Sequence, residues 1–160
     1  KENKKIESAF SKKAIVEEID RIIENKNLVG KDAEAIVKIR INQNVFRQQL
    51  LNIEKKCKLC GLSNEKLLIA SHIKPWSESS EDEKLHIHNG FLFCPHHDKL
   101  FDKFLISFEE DGRIIISEKL SKEDRILLNI REDMRIELNN ENKKYLKWHR
   151  GKFLNKRDKL

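Results

Sequence analysis

Nine consecutive residues combine a thiol, two imidazoles and two carboxylates. The run extends from Cys94 to Asp102 and has a proline at its second position. Pro95 suits the first turn of a helix, where its missing N–H would have no partner, so we expect a helix to begin there. On that helix Cys94 and His97 lie on one side, and Asp98 and Asp102 lie together on a neighbouring side. This spacing predicts two metal sites on one helix, one of sulfur and imidazole and one of carboxylate oxygen.

A second cysteine pair can complete the sulfur site. Cys57 and Cys60 form a C-x-x-C knuckle, and the glycine that follows gives the backbone the freedom to turn. The matching gap between Cys94 and His97 supplies the other half of a tetrahedral site. We therefore predict a Cys3His zinc site made by Cys57, Cys60, Cys94 and His97. His96 is a competing fourth ligand, and three unrelated buried cysteines are the alternative to a metal site.

Composition limits the class of protein. The chain has 160 residues, about one domain, and charged and hydrophobic residues each make up 38%. Three cysteines, an odd number, favour a reduced compartment and metal ligation over a disulfide framework. No apolar run approaches the roughly 18 residues that span a membrane, and no signal-peptide pattern opens the sequence. We expect a soluble, cytoplasmic protein with no membrane partner.

The positive charge is concentrated at one end. The net charge is +6, and residues 143–160 carry eight basic side chains and one acidic one. A basic end on a nearly neutral body is typical of proteins that bind nucleic acid. A solvated and partly disordered tail is the alternative.

Hydrophobic spacing predicts the surrounding elements. One or two amphipathic helices are expected before Gly30, followed by a helix capped by Asp32 and another capped by Asn42. Farther on we predict a strand at 67–70, a loop at 77–83, a strand at 91–93, a hairpin of 106–108 with 114–116, a helix from Ser121 through Leu128, a weak strand at 134–138 and a helix at 141–150.

The motifs together resemble one known family. The C-x-x-C knuckle, the sequence Ser-His-Ile-Lys-Pro-Trp from Ser71 and the sequence Asn-Gly-Phe-Leu-Phe-Cys-Pro-x-His-Asp-x-Leu-Phe-Asp from Asn89 are similar to the HNH endonuclease superfamily. The branch found in restriction-type and modified-DNA-dependent nucleases is the most similar. The resemblance implies an α+β fold with a zinc-stabilised ββα-metal core, helices in front of it, and a hairpin and a basic helix behind it. It also implies an HNH domain at 36–155, after a helical lead or linker at 1–35 and before a basic tail at 156–160.

The resemblance assigns roles to individual residues. His72 would be the general base and Asn89 the residue that holds it, while Asp98 and Asp102 would bind a catalytic Mg²⁺ or Mn²⁺. The zinc would be structural. Ser71 stands where many relatives have another metal ligand, and the position of Asp98 is often histidine in them. The candidate DNA contacts are Lys74, Lys99, Arg47, Lys147 and Arg150.

These features predict a metal-dependent DNA endonuclease that hydrolyses phosphodiester bonds, of the restriction type or dependent on modified DNA. The first alternative is a non-catalytic, zinc-stabilised DNA-binding module of the same fold. The second is a zinc-stabilised protein-interaction domain with a merely solubilising tail. The sequence leaves open the recognition site, nicking versus double-strand cutting, a homodimer, a separate recognition domain, and whether the chain is a fragment.

Overall fold

The structure is a computed structural model, and it describes residues 30–157. The chain divides into two compact units, residues 1–46 and residues 47–160. The helices predicted before Gly30 lie outside the described residues, and the division into lead, nuclease domain and tail stays a prediction. In chain order the helices and strands are α1 (Lys31–Glu54), β1 (Ile69–His72), α2 (Glu81–Leu85), β2 (Gly90–Phe93), α3 (Pro95–Asp102), β3 (Ile106–Phe108), β4 (Ile114–Ile116), α4 (Lys122–Leu127) and α5 (Asn140–Arg157).

Helix α1 is continuous, so the prediction of a new helix at Asn42 is wrong. Asn42 lies inside α1, and Asp32 lies in its first turn. Asparagine favours a helix start only where the preceding backbone leaves the helix, and α1 contains neither glycine nor proline to interrupt it. The part of α1 from Arg47 onward belongs to the second unit.

Strands β1 and β2 form an antiparallel pair in which Ser71 lies opposite Phe91 and His72 opposite Gly90. The strand predicted at 91–93 is confirmed with one added residue. The strand predicted at 67–70 begins later, because Leu67 belongs to a 3₁₀ turn whose first residue follows the cap Asn64.

The loop predicted at 77–83 is wrong in part, since this segment holds a 3₁₀ turn at Trp76–Glu78 and helix α2. Ser80 caps α2 by accepting a hydrogen bond from the Glu83 backbone N–H at 3.3 Å. The Glu83 carboxylate in turn accepts one from the Ser80 backbone N–H at 2.9 Å. This reciprocal capping box satisfies two N–H groups that the first turn would otherwise leave without partners.

Helix α3 begins at Pro95 as predicted, with Cys94 at its cap position. It packs on both strands of the first sheet and on β3. Four aromatic rings, 5.4 to 6.4 Å apart between centroids, fill the space between them and are at most 1% exposed: Phe91, Phe93, Phe101 and Phe108. This core fixes α3 against β1, and thereby fixes the side chains that α3 carries.

The second sheet is the predicted hairpin of β3 and β4. The strand predicted at 134–138 is wrong: this segment makes one isolated bridge, between Arg113 and Arg135, and backbone bonds from Ile114 N–H to Met134 and from Ile136 N–H to Gly112. Too few consecutive pairs form there to make a strand.

Two helices follow the second sheet. Ser121 caps α4 as predicted, and α5 extends beyond its predicted end, to Arg157. No helix within residues 30–157 is long and apolar enough to cross a membrane. The fold is therefore α+β, with two small antiparallel sheets joined by α3.

Candidate metal centre and active site

The predicted Cys3His group is brought together. The ligand atoms of Cys57, Cys60, Cys94 and His97 all lie within 4.8 Å of one another. His97 Nδ1 lies 3.4 Å from the Cys57 sulfur and 3.2 Å from the Cys94 sulfur, and the sulfurs of Cys60 and Cys94 are 3.9 Å apart. These separations suit four donors surrounding one tetrahedral ion.

His97, and not the competing His96, is the fourth member of the group. Its ring is 1% exposed and aims Nδ1 at the sulfurs, whereas His96 is exposed to solvent. The His96 ring still lies beside the site, with its nearer nitrogen 3.6 Å from the Cys94 sulfur. The two imidazoles contact each other, with centroids 4.2 Å apart.

The chemistry of the donor set fits a cation. Burial raises the pKa of Cys57, but hydrogen bonds from the His97 ring and from backbone N–H groups outweigh it and lower this pKa to about 6. Burial, together with the charges on Cys57 and Cys60, raises the pKa of Cys94 to about 12. Three converging thiolates repel one another unless a positive ion lies between them, and sulfur-rich sets with one imidazole favour Zn²⁺.

The knuckle that carries Cys57 and Cys60 is fixed to the free edge of β2. The Lys58 backbone N–H donates to the Leu92 carbonyl at 2.8 Å, and the Leu92 N–H donates to the Glu54 carboxylate at 2.7 Å. Lys58 also donates to Glu54 through its ammonium group at 2.9 Å. Sequence reasoning missed Glu54, which caps a strand edge that would otherwise lack hydrogen-bond partners.

His72 ends β1, and its ring orientation is defined. Nε2 lies 2.9 Å from the Lys84 carbonyl oxygen. Because a carbonyl only accepts, Nε2 carries the hydrogen, and in the neutral ring Nδ1 is then the basic nitrogen. Trp76 meets the imidazole edge-on, with centroids 5.7 Å apart, and the Lys84 ammonium lies 5.2 Å from the Trp76 centroid. Burial lowers the pKa of His72, and the bond to Lys84 opposes this effect.

Asn89 is fully buried and organises the segment that holds His72. Its side-chain oxygen accepts from the Lys74 N–H at 2.9 Å, and its amide group donates to the Glu83 carbonyl at 3.0 Å. Weaker bonds reach the Lys74 carbonyl and the Ser79 hydroxyl, both at 3.3 Å. The Glu83 carbonyl immediately precedes the carbonyl that binds His72, so Asn89 fixes the backbone on which the imidazole rests.

The two aspartates predicted to share a face of α3 do influence each other. The pKa of Asp98 is raised by burial and also by the negative charge of Asp102. A hydrogen bond from Ser71 acts in the opposite direction, as does the charge of Lys99. Asp102 is exposed and has the Lys103 ammonium 3.2 Å from one carboxylate oxygen. Helix α3, which carries both aspartates, packs on β1, whose last residue is His72.

The five candidate DNA contacts differ in what their side chains touch. Lys99 and Lys147 are exposed. Lys74 pairs with Glu83 at 2.7 Å. Arg47 donates to the carbonyls of Glu65 and Leu68, and Arg150 donates to the Phe108 carbonyl and to Glu110. The two arginines thus stabilise loops and strands of their own unit. The sequence had suggested instead that both side chains face solvent and contact DNA.

One family of known proteins matches the part of the chain that carries these residues. The family described as HNH endonuclease matches residues 57–109, the stretch that contains the knuckle, β1, β2 and α3. This segment of the chain belongs to the HNH endonuclease superfamily. The HNH segment includes all four members of the Cys3His group and both residues of the His72 and Asn89 pair.

Among solved structures, the chain is similar to one titled "Modification dependent TagI restriction endonuclease". The match has a probability of 1.00, a TM-score of 0.44 and 15% sequence identity. It covers 66% of this chain and 36% of the other, so this chain spans about a third of that protein's length. A search of curated proteins finds no significant match.

Proposed function

We propose that this chain is a metal-dependent DNA endonuclease that hydrolyses phosphodiester bonds. One observation carries the proposal: β1 ends at an oriented imidazole, His72, and packs against α3, which carries the carboxylates Asp98 and Asp102. A base and an anionic metal ligand at neighbouring positions are what hydrolysis of a phosphodiester requires. The HNH family match supports the same reaction class.

His72 is proposed to accept the proton of the attacking water at Nδ1. The Lys84 carbonyl keeps the hydrogen on Nε2, and the Trp76 ring limits rotation of the imidazole. The lowered pKa keeps the ring neutral at physiological pH, so that it is ready to act as a base. Asn89 supports this arrangement through the backbone at Glu83.

Asp98 and Asp102 are proposed to hold the catalytic ion. Two carboxylates on one face of a helix, close enough to perturb each other, are hard donors that fit Mg²⁺ or Mn²⁺. Such an ion, when bound, supplies positive charge that stabilises the phosphate oxygens and the leaving oxygen. Zn²⁺ is proposed to occupy the Cys3His group and to stabilise the fold, since the set has four protein ligands and therefore no open position.

The proposed substrate is DNA, and we propose that exposed Lys99 on α3 and exposed Lys147 on α5 contact its phosphates. Cleavage of the restriction type, or dependent on modified cytosine, is the finer proposal. One assay tests both the endonuclease activity and its dependence on modification. Plasmid DNA with and without cytosine modification is incubated with the zinc-loaded protein and either Mg²⁺ or Mn²⁺. Nicked or linear product from either plasmid supports an endonuclease. Product from the modified plasmid alone supports the finer proposal, and intact DNA under every condition contradicts both.

A non-catalytic DNA-binding module is the second candidate. One observation favours it: within residues 30–157 the only group of three or more closely spaced His, Cys, Asp or Glu ligands is the Cys3His group. The carboxylate site is thus formed by two protein ligands, with Ser71 beside them. DNA binding that weakens with salt, without cleavage in any divalent ion, would select this candidate.

A further inference from the structure

Stacked aromatic rings join the end of α3 to α5. The His149 ring of α5 stacks on Phe101 and on Phe104, with centroids 3.7 Å and 4.6 Å from its own. Trp148 lies beside Phe104, with ring centroids 6.5 Å apart. Phe104 and Trp148 are both half-buried, so part of each ring faces solvent. The stack therefore holds one side of α5 against the end of α3, which carries Asp102, one of the two proposed ligands of the catalytic ion.

The backbone of Phe104 has a conformation that glycine usually adopts. Its φ is 57°, in the left-handed region. The N–H groups of Phe104 and Leu105 donate to the carbonyls of Phe101 and Leu100 at 3.0 Å and 2.8 Å, the Schellman pattern that ends many helices. Glycine is the usual residue at this position because a Cβ makes the conformation unfavourable. An aromatic residue there breaks a local rule, and such exceptions cluster at functional sites.

Two lysines of α5 lie over these two rings. The Lys156 ammonium is 4.1 Å from the Phe104 centroid, and the Lys152 ammonium is 5.4 Å from the Trp148 centroid. Both lysines are exposed, and they follow His149 by three and seven residues, which places them on the same face of the helix. Among the residues that the structure describes, neither lysine forms an ion pair with a carboxylate. Two positive charges are thus held in defined positions without being neutralised.

This arrangement suits the binding of phosphate groups. A lysine side chain has many rotamers, and fixing them when it binds a ligand costs free energy. A cation–π contact restricts the ammonium group beforehand, so less freedom is lost on binding. Lys152 and Lys156 are four residues apart, about 6 Å between their Cβ atoms, which is close enough to reach neighbouring phosphates of one strand. A lysine face that is merely solvated would require neither rings beneath it nor an aromatic residue at a glycine position.

We infer that Lys152 and Lys156, held by the rings of Trp148 and Phe104, form a surface that binds the phosphates of the DNA strand beside the cleaved bond. The two rings are positioning residues, since they act on DNA through the lysines. The inference rests on the proposed function, because it assumes that DNA is the substrate. It goes beyond that proposal by assigning two further lysines to DNA binding and a role to the rings beneath them.

The test measures how salt affects binding of a fluorescent duplex oligonucleotide to the zinc-loaded protein. Fluorescence anisotropy gives the association constant at several salt concentrations between about 50 and 200 mM. We expect Lys152→Gln and Lys156→Gln each to weaken binding and to reduce the slope of log K against log salt by about 0.9, the value for one lost phosphate contact. Lys66→Gln is the matched control, because Lys66 is an exposed lysine in the 3₁₀ turn before β1, and it should keep the parent slope.

A second variant tests the role of the rings. Phe104→Gly removes the ring at a position where glycine suits the backbone, so the end of α3 is preserved, and thermal unfolding checks this. We expect Phe104→Gly to weaken DNA binding about 2-fold to 5-fold, the equivalent of one exposed cation–π contact. Lys156→Gln should then weaken binding less in the Phe104→Gly protein than in the parent, because the ring acts through this lysine.

Reduced slopes in the two α5 variants with a parent slope in Lys66→Gln support the inference. An equal reduction in all three variants overturns it, since total charge would then explain the effect, and so does equal weakening by Lys156→Gln with and without the Phe104 ring. Polyglutamate is titrated in parallel, and tighter binding of polyglutamate than of DNA would assign the surface to an acidic protein partner instead. If the parent binds and cuts DNA while both α5 variants bind as it does, only this inference is lost. If the parent neither binds nor cuts DNA, the proposed function fails and the inference fails with it.

Discussion

The buried histidine that joins α5 to α3 should make the stability of the protein depend on pH. His149 is 2% exposed and lies flat on Phe101, with ring centroids 3.7 Å apart. Nε2 donates to the Phe101 carbonyl at 2.9 Å, and Nδ1 accepts from the Ser107 hydroxyl at 2.9 Å. Burial lowers the pKa of His149 from 6.5 to about 4, so the ring is neutral in the folded protein.

The sign and size of the effect follow from linkage. Because the folded pKa lies below the unfolded one, the contribution to stability is complete above pH 6.5, falls as the pH drops from 6.5 to 4, and levels off below that. The full pKa shift of His149 corresponds to about 3 kcal/mol in the free energy of unfolding. Between pH 7 and pH 5 this free energy should fall by about 2 kcal/mol because of His149. His149→Gln keeps a donor and an acceptor at this position but does not titrate.

Urea unfolding at pH 7 and pH 5, with zinc present, measures the effect. We expect the free energy of unfolding to fall between these pH values by about 2 kcal/mol more in the parent than in His149→Gln. Taking the difference between the two proteins removes the contributions of all other titrating groups, including the zinc ligands. An equal fall in both proteins would show that His149 does not titrate as its burial requires, and would refute the reasoning.

Three further predictions follow from the site and the turns. His97→Ala should lose bound zinc by elemental analysis while His96→Ala retains it, and zinc retained by both would exclude His97 as a ligand. Gly112→Ala should destabilise the protein by about 2–4 kcal/mol in urea unfolding, because Gly112 has φ of 84° and a Cβ there would lie 1.9 Å from the Ile136 carbonyl oxygen. A change in the free energy of unfolding below about 0.5 kcal/mol would contradict this, because it would show that the hairpin accommodates a Cβ at this position. Asn89→Ala should cost about 2–4 kcal/mol, since it removes four hydrogen bonds that a fully buried side chain makes to a partly buried segment, and unchanged thermal unfolding would contradict this.

Local sequence signals predicted the elements that hold the site. Pro95 marks the start of α3, and glycine-centred turn chemistry marks the hairpin, because both signals act within a few residues. The C-x-x-C spacing predicted the sulfur group for the same reason, and the matching gap after Cys94 favoured His97 over His96. The structure buries the His97 ring beside the sulfurs and leaves His96 exposed.

Other features of the fold were not predicted, either because a local sequence signal was misinterpreted or because the contact joins distant segments. Ser80 and Glu83 form a capping box that is visible in the sequence, but the serine-rich and acidic composition around it favoured a loop. Asn42 has the propensity of a cap, and the helix continues through it because nothing breaks the backbone. The carbonyl partners of Arg47 lie 18 and 21 residues farther along the chain, so only the fold reveals them.

The most direct test of the account is cleavage of supercoiled plasmid by the zinc-loaded parent and His72→Ala, compared at equal zinc content in Mg²⁺ and in Mn²⁺. His88→Ala removes an imidazole of the same segment that hydrogen-bonds to the exposed Asn139 amide and meets the His86 ring edge-on, and it serves as the control. We predict nicked or linear product from the parent and from His88→Ala, and none above background from His72→Ala, with DNA binding intact. Cleavage by His72→Ala at the parent rate would contradict the central claim that this imidazole is the base.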